Sequence, residues 1–147
     1  MEGHDGLRRV AENAVLNANY LRARLRDSFE VKYDRLCMHE VVLRGTPFRK
    51  FGVKTLDVAK RLMDYGVHPP TVYFPLIVEE ALMIEPTECE SRESLDLFVA
   101  AMQGIRREME EDPAVILAAP HGTPVRRLDE AQAARALELV WRPPATP

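Results

Sequence analysis

Two consecutive prolines, Pro69 and Pro70, constrain this 147-residue chain more than any other feature. Neither can donate a backbone hydrogen bond, and each pushes the residue before it into an extended conformation, so His68 is presented on a stiff corner. The flanking residues agree with such a corner. On its N-terminal side Leu56, Ala59, Leu62 and Met63 recur at helical spacing, with Thr55 as N-cap and Asp57 in the first turn. Asp57 with Arg61, and Lys60 with Asp64, are opposite charges four apart on the face expected to meet water. Gly66, after Tyr65, supplies a left-handed stop. Beyond the corner, the apolar run Ala81–Ile84 reads as a strand that ends at Pro86, which cannot donate to a ladder. Helix, corner and strand make residues 54–88 the unit around which the chain is organised.

The other segments add a helix before this unit and another after it. Asp5 can cap a long helix with a stripe of Leu7, Val10, Ala11, Ala14, Ala18, Leu21 and Leu25, and Arg22, Arg24 and Arg26 suit its negative C-terminal end. Asn13, Asn17 and Asn19 lower its intrinsic propensity, so the helix must rely on packing. Phe29, Val31 and Tyr33 alternate with polar residues, and residues 41–43 are apolar, which predicts two neighbouring antiparallel strands. Residues 44–52 read as a turn-rich loop with three cations, Arg44, Arg49 and Lys50. Ser91 caps a third helix with the seam Leu95, Phe98, Met102, Ile105 and Met109. In the tail, Asp129 and Gln132 predict a short capped helix, Trp141 is a candidate to pin it, and residues 142–147 read as frayed.

This order predicts an α+β domain, a small mixed or antiparallel sheet with helices packed on one face. At 46% hydrophobic residues the chain suits a single domain with its own core. A net charge of -3 without long runs of like charge argues against nucleic acid or an anionic membrane surface as partner. Cys37 and Cys89 stand far apart outside any CxxC pattern, and there is no long apolar span, so the chain is expected to be cytoplasmic with reduced thiols. Four scattered histidines without ligand spacing do not suggest a metal site.

The segments VAKRLMDYGVHPPT (58–71) and LMIEPTE (82–88) resemble glycine decarboxylase, the pyridoxal-phosphate-dependent P-protein of the glycine cleavage system. The likeness continues in GLRRVAENAVLNANYLRARL (6–25), HEVVL (39–43), PFRK (47–50) and AAPHGTPVRRLDE (118–130), in the same order. It is strongest to the C-terminal part of the second subunit of the two-subunit bacterial form. The resemblance implies the C-terminal small domain of an aminotransferase-like, fold type I enzyme. Residues 1–26 would be the linker helix, 27–112 a sheet-and-helix core and 113–147 an extension, with the cofactor-bearing large domain absent. It also implies the reaction: glycine is decarboxylated on pyridoxal phosphate and the aminomethyl group passes to the lipoyl arm of H-protein. Expected partners are then the large domain of the same subunit, the first P-protein subunit, H-protein and glycine.

The lysines are Lys32, Lys50, Lys54 and Lys60, and none follows a histidine as the family's cofactor lysine does. The chain alone is therefore expected to bind no pyridoxal phosphate and to be inactive. No residue stands out as catalytic. Candidates to face substrate or cofactor are His39, Arg49, His68 and His121, though each also has an ordinary role in a turn or on the surface. Many relatives of this fold type carry a carboxylate-clamping arginine early in the strand that matches Ala81–Ile84; here Met83 leaves that spot apolar. For a decarboxylase this is chemically sensible, because a strong clamp on the departing group stabilises the ground state. The competing reading is a free-standing α+β binding or regulatory module that kept only the fold.

Overall fold

The computed structural model describes residues 2–143. Helix α1 (Gly3–Leu25) leads to strand β1 (Val41–Arg44), a 3-10 helix (Thr46–Phe51) and helix α2 (Thr55–Asp64). Strands β2 (Thr71–Val72) and β3 (Ala81–Ile84) follow, then helices α3 (Arg92–Glu111), α4 (Pro113–Leu117) and α5 (Glu130–Arg135). The strands form one antiparallel sheet in the order β1-β3-β2. The expected α+β architecture holds, in its antiparallel form.

Strand alternation decides which face is covered. Val41 and Leu43 lie opposite Ile84 and Leu82, Val72 pairs with Leu82, and these residues turn toward the helices. The α3 seam of Leu95, Met102, Ile105 and Met109 joins Leu21 and Leu25 of α1, Val58 and Leu62 of α2, and Phe48 in one cluster. Phe29 and Phe48 meet edge to face with centroids 6.0 Å apart. Each buried side chain of this size contributes roughly 1.5–3 kcal/mol, several times what helix propensity costs α1 at its asparagines. Two of those asparagines also bind neighbouring segments. Asn17 donates to the carbonyls of Thr87 and Glu90, while Asn19 donates to Cys37 O at 2.7 Å and accepts from Cys37 N.

The packing corrects several local expectations. The N-cap of α2 is Lys54, whose N–H donates to Asp57 at 2.8 Å; Thr55 is buried and its hydroxyl donates to the Glu80 carbonyl. Asp57 is not on a wet face but buried, and takes Arg127 at 2.7 Å. Arg61 pairs with Glu108 and Asp64, while Met63, Leu7 and Ala11 are exposed. Asp5 sits in the first turn of α1 and is not its cap. The strand expected at residues 29–33 shrinks to a single bridge between Val31 and Leu43, because Phe29 is drawn into the core and the chain then turns away. Residues 46–51 form a 3-10 helix started by Pro47 rather than a loop. Gly45 permits that turn, since a Cβ there would stand 2.1 Å from the Thr55 hydroxyl and 2.7 Å from the Glu80 carbonyl. Trp141 is 81% exposed and pins nothing. Of the end expected to fray, residues 144–147 lie outside the described residues.

Past α3, Asp112 caps α4, which sends Ile116 into the core. The chain that follows is held to α2 by two carboxylates. Asp64 accepts the backbone N–H groups of His121 and Gly122 at 2.6 and 2.7 Å, and Asp57 holds Arg127, which also donates to Ala119 O. Burial opposes ionisation of Asp64, yet the two N–H groups and Arg61 together keep its carboxyl below the ordinary range. Glu108 is lowered chiefly by its hydrogen bonds from Arg61. Depressed carboxylates contribute stability that is present above their unfolded values and lost as pH falls through the folded ones. The urea midpoint should therefore drop between about pH 5 and about pH 3, and Glu108→Gln should make the drop shallower. A midpoint that does not change across that interval would contradict this account of the network.

Candidate functional site

A groove of about 750 Å³ lies beside the proline corner. One wall is the loop from Tyr65 through Pro70, the floor is Met83, Ile84 and Glu85 of the β3 segment, and the far wall is α3 at Ser94, Leu97 and Phe98. The register of the sheet explains why the groove is open. Tyr73 N donates to Ala81 O and Thr71 pairs with Met83, so the next hydrogen-bonded pair would set Pro69 against Glu85. Pro69 has no N–H, so β2 stops at Thr71 and the β3 edge beyond Met83 is left without a partner on that side.

The walls are fixed by contacts outside the groove. Gly66, with φ of 73°, closes α2 as expected, and Val67 N returns to Leu62 O at 3.1 Å. The Tyr65 hydroxyl donates to Glu108 at 2.8 Å, and burial pushes its pKa up. The absence of a side chain at Gly104 lets Tyr65 lie this close, since a Cβ would come within 2.7 Å of the hydroxyl. Arg61 stacks on the Tyr65 ring at 5.2 Å while forking onto Glu108 through Nε and Nη2 at 3.0 and 2.8 Å.

The four residues singled out in the sequence are not brought together. His68 lines the groove and is exposed. His39 precedes β1 rather than beginning it and stands 3.9 Å from Glu85, at the groove's edge. Arg49 is in the 3-10 helix and pairs with Glu79 at 2.8 Å and Glu80 at 3.5 Å; Glu79 first among its neighbours raises its pKa. His121 lies on the α4 side, where its Nε2 is 2.8 Å from Val115 O and its N–H donates to Asp64. Met83, on the sheet face opposite Leu82, does line the groove. Sequence reading missed Glu85, Glu90 and Ser94 as groove residues, because nothing in their own segments signals that Pro69 cuts the ladder opposite Glu85 or that the start of α3 faces the gap.

Chemically the groove offers one imidazole, carboxylates and hydroxyls on an apolar surface, with no lysine or arginine among its lining residues. It lacks the amine for a Schiff base and the cations for a phosphate, so its residues do not fit pyridoxal phosphate. Among the described residues no cluster of three metal-binding side chains forms, and no helix is long and apolar enough to cross a membrane.

The fold and groove define a small α+β domain with several large apolar side chains left exposed. The family model for the C-terminal domain of glycine dehydrogenase matches residues 10–119, and this chain belongs to that family. It is 60% identical over 133 residues to a probable glycine dehydrogenase (decarboxylating) subunit 2 of Bacillus velezensis, a match covering 90% of this chain and 27% of the relative. Proteins of the same description from Chlorobium phaeovibrioides and Oceanobacillus iheyensis are 59% and 55% identical, covering 97% and 96% of this chain and 30% and 29% of theirs. The chain thus spans less than a third of the length of these relatives.

If Pro69 is what halts the ladder, Pro69→Val should let β2 grow toward the corner and slow hydrogen exchange at the Glu85 amide by about tenfold or more. Unchanged exchange at that amide would show that something else keeps the groove open.

Proposed function

We propose that this chain serves as the C-terminal small domain of glycine dehydrogenase (decarboxylating) subunit 2. The complete enzyme would be an aminotransferase-like, fold type I protein that decarboxylates glycine with pyridoxal phosphate and delivers the aminomethyl group to the lipoyl arm of H-protein. The observation that carries this reading is the pairing of 55–60% identity across at least nine-tenths of the chain with coverage of under a third of each relative. In this reading residues 1–26 link to the large domain, which holds the cofactor and meets the first subunit. Free Cys37 and Cys89 suit action in the cytoplasm.

The groove residues do not fit the cofactor, so in this reading the large domain holds it and the groove would at most line the substrate's side of the site. The domain would position its apolar groove wall against the site and help exclude water from it. A free-standing module that kept only the fold is the competing reading, and reconstitution separates the two. The chain alone, the preceding portion of the Chlorobium relative alone, and the two combined are assayed for exchange of labelled bicarbonate into glycine, with H-protein and the first subunit present. Exchange is expected in the combination alone. Exchange by the isolated chain, or its absence from a combination that does form a complex, would overturn the proposal.

Met83 provides a finer test. It leaves the floor of the groove apolar where a guanidinium would otherwise bind a carboxylate. Met83→Arg in the reconstituted enzyme should lower turnover about tenfold, equivalent to about 1.4 kcal/mol of barrier, without raising the KM for glycine. Unaltered turnover would remove this role from Met83.

A further inference from the structure

Between β2 and β3 the chain passes through residues 73–80 and holds large apolar side chains away from the core. Phe74 is 53% exposed, Ile77 74% and Leu76 86%. A flexible loop would fold such groups back onto the protein, but this one is held at both ends. Tyr73 and Glu80 have φ of 62° and 53°, in a region that costs a non-glycine residue on the order of 1–2 kcal/mol. Tyr73 N donates to Ala81 O at 2.8 Å, and Val78 is buried beneath the tip with its N–H on Pro75 O at 3.0 Å. At the C-terminal base, Glu80 accepts from Gly45 N and the Thr55 hydroxyl on its carbonyl, and from Thr55 N on its carboxylate. Arg49 is neutralised there by Glu79 and Glu80. A rigid apolar tip on a polar rim whose charges are already matched is how an interface anchor is built.

The length of the relatives supplies a candidate to cover the tip. The family model is of a C-terminal domain, and the aligned stretch amounts to 27–30% of each relative, so most of the relatives' chain lies outside it. Domains of one chain meet across roughly 600–1,500 Å², enough to bury three such side chains at the centre. We infer that Phe74, Leu76 and Ile77 form an interdomain anchor that fits an apolar pocket on the part of glycine dehydrogenase subunit 2 preceding this domain. The inference rests on the domain reading above, and the experiment separates the two.

The 147-residue chain, carrying a photo-crosslinking amino acid at Leu76, is mixed with the separately produced preceding portion of the Chlorobium relative. Affinity is measured for the unmodified chain and for the double variant Leu76→Ser with Ile77→Ser. The expected results are a one-to-one complex, a crosslink from position 76 into the preceding portion, and binding weakened on the order of 100-fold in the double variant. The variant's melting temperature should match that of the unmodified chain, because both side chains are exposed; a lowered one would show that the tip is instead part of this domain's own packing and overturn the inference. A complex of undiminished affinity, or a crosslink to a second copy of this chain, overturns the anchor while leaving the domain reading intact. No complex with the unmodified chain overturns both.

Discussion

Glu80 is the residue on which the arrangement of this end of the molecule depends. In its left-handed conformation its carbonyl receives Gly45 N and the Thr55 hydroxyl, both at 2.8 Å, and its carboxylate receives Thr55 N at 3.1 Å and Arg49 at 3.5 Å. One residue thus joins the end of β1, the 3-10 helix, the start of α2 and the exit of the β2–β3 loop. Its backbone strain is on the order of 1–2 kcal/mol, while each net hydrogen bond contributes about 0.5–1.5 kcal/mol, more where a carboxylate takes part. Several such bonds together exceed the strain. Gly45 is the matching requirement on the other strand, since a side chain there would occupy the space of the Thr55 hydroxyl.

Buried carboxylates do the same work for the chain beyond α3. Asp57 and Asp64 sit at the two ends of α2, and each receives a segment from far along the sequence: Arg127 in one case, the N–H groups of residues 121 and 122 in the other. Neither contact is a surface ion pair of negligible worth. Both acceptors are nearly buried, so loss of the donor would leave a charge without compensation. The stretch through Arg127 is consequently tethered to the body, although its composition of proline, alanine and arginine resembles a tail.

The segments that could be read from sequence were those whose signals are local. Ser91 capping α3, the seam from Leu95 to Met109, Gly66 closing α2, Asp129 capping α5 and the strand Ala81–Ile84 all appear as expected. The misses share a different cause. Asp57 looks like a surface residue until Arg127, seventy positions later, removes it from water. Phe29, Val31 and Tyr33 alternate as a strand does, but along the free edge of β1 only Val31 bridges to Leu43, because Phe29 is drawn into the core and the chain then turns away. Thr55 has the chemistry of an N-cap and is instead claimed by Glu80, which leaves the cap to the residue before it. For the candidate site, sequence placed His68 on the corner and Met83 in the strand, but not their meeting in one groove. That meeting follows from Pro69 lying opposite Glu85, a fact of register rather than of composition.

Polar and apolar groups are treated in opposite ways across this domain, and the contrast bears on its role. Charged side chains near functional surfaces are matched within the chain: Arg49 by Glu79 and Glu80, Arg61 by Glu108 and Asp64. Large apolar side chains, in contrast, are left outside in a rigidly supported loop and along the open wall of the groove, where Leu97 stands exposed. A protein selected to remain alone does the reverse, keeping free charge outside and apolar surface within. Internal charge matching also means that docking need not strip water from unpaired ions, so most of the free energy of contact can come from apolar burial. Where charges are matched in this way and apolar groups are held in fixed positions, a contact made there would leave little conformational entropy to lose.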